Sequence, residues 1–376
     1  MNFGFDEDQK SLGDTVAQML GDFPALTAPD PADARDAAVW SGLAELGLFA
    51  LLVPEEHGGA GLALVDVALA VEALGAGLAP FTVATTLIAT DLIVRYGTDR
   101  QKSAWLPRIA AGQLRIAVAM LEQGRGYDPA DVETSVSGNM IGGRKILVPD
   151  AVDADLFLTL ALVDAEPALV MVERNARGVA LRPHADIDPS SGFCELILEG
   201  ASLTDCAIIG HKFSDAPVQR LIDLGAALHA GMMMGIAARM LDTSVDYART
   251  RVQFGQPIGA FQSIKHRCAD MAVAVEAGRS AAYYAVWAVS EDAPDHARAS
   301  SMAKAYCGEI ARRACNEAIQ IHGGMGFTWE LGLHRFLRRS KVIEHAFGDE
   351  AWHYERVIAD TLAGQANASD HGRAAA

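Results

Sequence analysis

Cysteine is scarce: five in 376 residues, at Cys194, Cys206, Cys268, Cys307 and Cys315. None stands in a Cys-x-x-Cys pair or a paired-histidine spacing, which argues against both a zinc site and a disulfide framework, and a reducing, cytoplasmic setting fits best. Basic charge is also in deficit. Against 48 Asp and Glu there are 31 Lys and Arg, a net charge of −17. That balance removes any global electrostatic case for nucleic acid, and it would repel an anionic ligand unless local Arg and Lys groups overcame it. No uninterrupted apolar run approaches the length of a membrane span. The first residues, Met1-Asn-Phe-Gly-Phe-Asp-Glu-Asp8, hold no basic region ahead of an apolar block, so no secretory signal is expected.

What the chain does have is apolar residues, 51% of the total with much alanine, in a length sufficient for two or three packed units. Helical spacing runs from Asp6 to Phe23 and from Ala34 to Leu46, separated by a proline-rich loop, Pro24 to Asp33. The stretches Val65 to Leu74, Pro80 to Tyr96 and Arg100 to Ala111 complete an N-terminal helical unit over 1–115. The texture then changes to short β-prone runs, at Ile116 to Met120, Thr134 to Val136, Ile146 to Val148, Leu156 to Leu160, Ala168 to Val172 and Cys194 to Leu198. Turn residues separate them, which predicts a small antiparallel sheet or barrel over 116–215. From 216 to 364 the chain reads as helix, broken at Asp292-Ala-Pro-Asp295 and at His322-Gly-Gly-Met-Gly326, and 365–376 is expected to fray.

The least generic segment is Tyr247-Ala-Arg-Thr-Arg-Val-Gln-Phe-Gly-Gln-Pro-Ile-Gly-Ala-Phe-Gln-Ser-Ile-Lys-His266. Gly255, Pro257 and Gly259 make it the corner of a helical hairpin. Arg249, Arg251, Gln253, Gln262, Lys265, His266 and Arg267 crowd that corner, and Arg is the side chain best shaped to grip phosphate oxygens.

This string resembles the acyl-CoA dehydrogenase family. Two further segments are similar to that family's pattern: the loop Pro54-Glu-Glu-His-Gly-Gly-Ala-Gly61, and Trp105-Leu-Pro-Arg-Ile-Ala-Ala-Gly112. The resemblance covers nearly the whole chain. It implies an α+β chain with an N-terminal helical domain, a middle β-barrel-like domain and a C-terminal four-helix bundle. It also implies FAD as cofactor, an acyl-CoA substrate and an electron-transfer flavoprotein or similar acceptor.

By the same resemblance Arg251, Phe254 and Gln262 contact FAD, and so do Gln320, Gly323 and Gly324. Arg251 is expected to reach the pyrophosphate of a neighbouring subunit. The family's middle loop corresponds to Leu121-Glu-Gln-Gly-Arg-Gly-Tyr-Asp128, where Glu122, Gly126 and Asp128 are weaker cofactor candidates and Leu121, Gln123 and Tyr127 depart from the pattern.

The family's catalytic glutamate has no obvious counterpart. Phe347 stands at its usual position, and the positions used in other branches, at Met232 and about two turns earlier near Gly225, hold no carboxylate. His229 lies on the same helical face as Gly225 and Met232 and is the candidate base. Asp349 or Glu350 would need a shifted loop. The pattern resembles the divergent small subunits of two-subunit acyl-CoA dehydrogenases, such as pimeloyl-CoA or steroid side-chain types. Three readings stay open: one subunit of an FAD-dependent α,β-dehydrogenating hetero-oligomer, a self-sufficient homo-oligomer with an unusual base, and a flavin-free assembly partner.

Overall fold

The computed structural model describes residues 4–25, 33–205, 207–210 and 214–374. Cys206 and most of the expected loop at 24–33 lie outside them. Helix α1 (Glu7–Gly21) starts at Asp6, whose carboxylate accepts from Gln9 N while the Gln9 side chain accepts from Asp6 N, a reciprocal cap. Helices α2 (Asp33–Glu45), α3 (Ala68–Ala76), α4 (Phe81–Tyr96) and α5 (Asp99–Ala110) complete the N-terminal unit.

Helix α4 is buried on every side from Phe81 to Ile93, so its threonine hydroxyls must find partners inside. Two of them find partners on the sheet. Thr85 Oγ1 donates to Ile116 O at 2.6 Å, and Thr86 Oγ1 accepts from Ile116 N at 3.0 Å, which pins the first strand to the helix.

Eight strands follow: β1 (Ile116–Ala119), β2 (Ser135–Ser137), β3 (Met140–Val148), β4 (Leu156–Val163), β5 (Glu166–Glu173), β6 (Val179–Pro183), β7 (Cys194–Ser202) and β8 (Ile208–Ile209). Their order is β6-β7-β3-β2-β4-β5-β8, with β1 pairing in parallel along the start of β4. Strands β6 and β8 were not expected. The first is an edge strand holding Arg182 and Pro183 with a largely exposed pattern, and the second is only two residues long, so neither shows apolar alternation.

The C-terminal unit comprises α6 (Ala216–Thr250), α7 (Gln262–Ser290), α8 (His296–His322), α9 (Leu333–His345) and α10 (Glu350–Ala374). Backbone helix thus continues through most of the expected tail, where alanine favours it. By length and composition α6 could cross a membrane, but 94% of its apolar window is buried inside this structure. Its hydrophobicity is that of a core helix. Helices α3 and α6 approach so closely that a Cβ on Gly75 would sit 1.9 Å from Met232 O, and one on Gly235 1.9 Å from Glu72 O. Only glycine fits either place. Across the same region Arg220 joins Asp91 and Asp292, fastening α6 to α4 and to the α7–α8 turn.

Candidate active site

A cavity of about 610 Å³ opens where α4, the sheet, α6 and the α9–α10 loop meet. Its walls are mainly apolar: Phe81, Val118, Met120, Ile146, Phe193 and Phe347 among others. The titratable groups on the wall are Tyr127, Asp186, His229, Lys341 and His345, so Asp186 is the one lining carboxylate among the described residues. Sequence reasoning missed Asp186, which sits in the β6–β7 loop without a motif around it.

The loop carrying Phe347 is held from below. Buried Lys304 donates to Glu344 O and Gly348 O, both at 2.9 Å, and His353 Nε2 donates to Phe347 O at 3.0 Å. Burial pulls Lys304 down to about 7. Phe347 adopts φ +57, a left-handed conformation unusual for a bulky residue, and its side chain lines the cavity. The ring covers Gly225 so tightly that a Cβ there would lie 2.2 Å from it. Two of the positions at which the family resemblance places a base are therefore filled by a matched pair, a glycine and the aromatic ring that packs on it.

His229 lies one turn on from Gly225, its ring tilted against Phe347 with centroids 4.9 Å apart. Its Nδ1–H donates to Gly225 O at 2.8 Å, which leaves Nε2 as the acceptor. Burial, with Lys304 adding repulsion, pulls His229 down to about 3. So depressed an imidazole is a poor proton acceptor, which counts against the expectation that His229 is the base. The displaced acids fare no better. Asp349 accepts from Trp352 N at 2.9 Å and so caps α10, while Asp349 and Glu350 line a separate recess of about 360 Å³. Met232 is buried against α3 and does not line the cavity.

In the middle loop, the Glu122 carboxylate accepts from Glu133 N (2.7 Å), Thr134 N (3.0 Å) and Lys145 Nζ (2.6 Å). Burial alone would raise its pKa, but the Lys145 and Thr134 bonds hold it below the usual carboxylate range. This side chain is thus the loop's internal anchor, which counts against a cofactor contact through its carboxylate. Gly126 and Asp128 are exposed, and Asp128 Oδ1 accepts from Ala130 N at 2.9 Å. Tyr127 faces the cavity with its hydroxyl pushed up to about 12, by burial first and Asp349 second.

The expected nucleotide-facing set lies elsewhere. Tyr247 stacks on His322 at 4.2 Å, which brings the end of α6 to the end of α8 and so sets the 251–262 corner beside the Gly323-Gly324 turn. Arg251, Phe254, Gln262, Gln320, Gly323 and Gly324 are all exposed, and none lines the cavity. Phe254 is 91% exposed, Phe327 81% and Trp329 62%. A Cβ on Gly323 or Gly324 would meet nothing within 4 Å, and Gly323 has φ +59 and ψ −134, a combination that only glycine tolerates well. An exposed guanidinium, open glycine backbone and exposed aromatic rings fit a phosphorylated, ring-bearing ligand.

A helical domain, a central sheet and a helical bundle around such a cavity are the architecture of acyl-CoA-oxidising flavoenzymes. Residues 6–113 match the acyl-CoA dehydrogenase N-terminal domain and residues 217–362 the acyl-CoA dehydrogenase C-terminal domain. The chain is 30% identical over 368 residues to the probable acyl-CoA dehydrogenase YngJ of Bacillus subtilis (strain 168), covering 92% of this chain and 95% of that one. It superposes on a chain of the ChsE4–ChsE5 complex of Mycobacterium tuberculosis with a TM-score of 0.85 at 27% identity, over 96% of this chain and 99% of that one. On the glutaryl-coenzyme A dehydrogenase complex with glutaryl-CoA the TM-score is 0.88 at 25% identity, over 96% and 97%. This chain belongs to the acyl-CoA dehydrogenase family, oxidoreductases that act on acyl-CoA thioesters.

Proposed function

We propose that this chain takes part in FAD-dependent α,β-dehydrogenation of an acyl-CoA thioester as one subunit of a hetero-oligomer whose paralogous partner supplies the carboxylate base. The observation that carries the reading is the Phe347–Gly225 pair: an aromatic ring packed on a glycine fills two of the family's base positions, beside an imidazole held neutral. The exposed corner supports the other half of it. Arg251 would grip the pyrophosphate, Gln262 and Gln320 would offer amide donors and acceptors, and the Gly323-Gly324 backbone would lie close to the nucleotide. Phe254 would present its ring to the cofactor or to the facing chain.

The chemistry that FAD supplies when bound is acceptance of the hydride leaving the β-carbon. The residues of this chain bind, orient and exclude water: the apolar wall desolvates the acyl group, and Tyr127, its hydroxyl kept protonated by burial, is available as a donor. The ChsE4–ChsE5 complex and the Tcur3481–Tcur3483 steroid enzyme, at 27% and 28% identity, are relatives built from two different chains. FadE34 of Mycobacterium tuberculosis is 33% identical over 87% of this chain but only 42% of its own length, so more than another chain's length accompanies the match. An electron-transferring flavoprotein is the expected acceptor of the electrons, in line with the Acidaminococcus fermentans neighbour at 27% identity.

The test is flavin reduction by a panel of acyl-CoA thioesters, with the purified chain alone and with its co-expressed paralogue. Reduction only in the co-expressed complex is expected. Brisk turnover by a homo-oligomer of this chain carrying one FAD per subunit would overturn the reading.

A further inference from the structure

Asp186 is a polar exception on an apolar wall, and the protein goes to some length to fix it there. Its Oδ1 accepts from Asp188 N at 2.5 Å. Asp188 in turn accepts from Nε of Arg339 at 2.7 Å, Ser190 Oγ accepts from the same guanidinium at 2.8 Å, and Nη1 donates to Ala79 O at 2.8 Å. Arg339 is only 1% exposed and lies 4.4 Å from the centroid of Phe81, itself a wall residue. A buried arginine beneath the cavity thus holds the loop whose carboxylate faces the cavity. Among the described residues no protein group donates to Asp186 Oδ2, so that oxygen is available to a ligand. Burial pushes the Asp186 carboxyl up, and Asp188 repels it while Arg339 and His184 favour its ionised form.

We infer that Asp186 is a specificity residue that accepts a hydrogen bond from a hydroxyl carried by an otherwise apolar acyl group. The inference rests on reading this cavity as the acyl site and adds the substrate class. A plain hydrocarbon chain would bury the free oxygen without a partner, which is costly, whereas a hydroxyl satisfies it without bringing a charge into the cavity. An ammonium would be repelled by Arg339, close enough to favour the ionised form of Asp186, and by Lys341 on the same wall. His229 Nε2 adds an uncharged acceptor on the wall, and Tyr127 a donor.

The experiment is calorimetric titration of the full-length, FAD-loaded protein with decanoyl-CoA and with the positional isomers of hydroxydecanoyl-CoA. At least one hydroxylated isomer should bind roughly tenfold to a hundredfold more tightly than decanoyl-CoA. In Asp186→Leu that preference should vanish while decanoyl-CoA binds as well or better, and Asp186→Asn, which keeps an acceptor oxygen, should retain part of it. Equal binding of all isomers, no binding of any thioester, a preference that survives Asp186→Leu, or tighter binding of aminodecanoyl-CoA would each overturn the inference. So would rapid flavin reduction by the chain alone that Asp186→Asn abolishes while leaving thioester binding intact, since Asp186 would then be a base. Binding is read without turnover, so an inactive isolated chain leaves this test standing. Conversely, a hydroxyl preference in a self-sufficient homo-oligomer would refute the subunit reading alone.

Discussion

The corner at 251–262 and the cavity wall around Gly225, His229 and Phe347 belong to one helical bundle, yet they treat their side chains in opposite ways. At the corner the arginine, glutamines and aromatic rings face outward, with Phe254 91% exposed. On this part of the wall the groups are packed: a ring sits on Gly225, and His229 is 1% exposed with Nδ1 tied to its own helix. A region left open can be retained only for what it meets outside the subunit. A region packed this well is retained for stability and shape. Substitutions should therefore separate the two, costing fold stability at the wall and ligand affinity at the corner.

The largest effect is expected beneath the wall. Arg339→Ala leaves Asp188 buried without its partner and should destabilise the protein by about 3 to 5 kcal/mol, measured by denaturant unfolding of the apoprotein. A loss below about 1 kcal/mol would mean that the wall is not held by this clamp.

Acid should expose the same region next. His229 has its folded pKa lowered from 6.5 to about 3, so the unfolded chain takes up the proton first. Its contribution is fully present above pH 6.5 and is lost as pH falls toward 3. Between pH 6.5 and 4.5 the loss should be roughly 2 to 3 kcal/mol, and His229→Leu should flatten that part of the stability profile. His353, also pulled down to about 3, leaves a residual slope of the same sign. An unchanged slope in His229→Leu would mean that the imidazole is not buried neutral.

The corner gives the complementary result. Arg251→Ala should weaken FAD retention by about tenfold to a hundredfold, roughly 1.5 to 3 kcal/mol, while apoprotein stability stays within about 0.5 kcal/mol. Unchanged FAD affinity would remove the corner's assignment, and a stability loss as large as that of Arg339→Ala would erase the contrast between the regions.

Much of this contrast was legible in the sequence. Gly255, Pro257 and Gly259 punctuate two long apolar helices, so the corner and its Arg251 could be placed without coordinates. The three-layer order of helices, strands and helices followed from periodicity in the same way. What could not be read was which polar groups turn inward. Glu122 sits in an exposed-looking loop, yet its carboxylate gathers Lys145 and two backbone N–H groups from a strand and loop more than ten residues away. His229 has the spacing of a functional face, but its depressed basicity comes from burial and from Lys304 on another helix. Asp186 carries no local signal at all, because its position depends on Arg339, 153 residues later in the numbering and joined to it only through Asp188.

The smallest effect concerns the acid that could still rescue a self-sufficient site. Asp349 follows Phe347 by two residues, close enough in sequence to serve as a displaced base, but its Oδ1 accepts from Trp352 N at 2.9 Å at the start of α10. That is the work of a helix cap. Asp349→Ala should therefore cost about 1 kcal/mol of stability, and substrate-dependent flavin reduction by the assembled enzyme should change by less than about twofold. The two readouts point in opposite directions for the two roles: a cap loses stability and keeps the rate, while a base keeps most stability and loses the rate by orders of magnitude. Glu350→Gln sharpens the comparison, because Glu350 lines the same outer recess as Asp349 and has no place on the cavity wall, so neither readout should move. A rate collapse in either variant would place a carboxylate of this chain at the reacting carbon and would close the distinction between an open corner that serves a ligand and a packed wall that does not react.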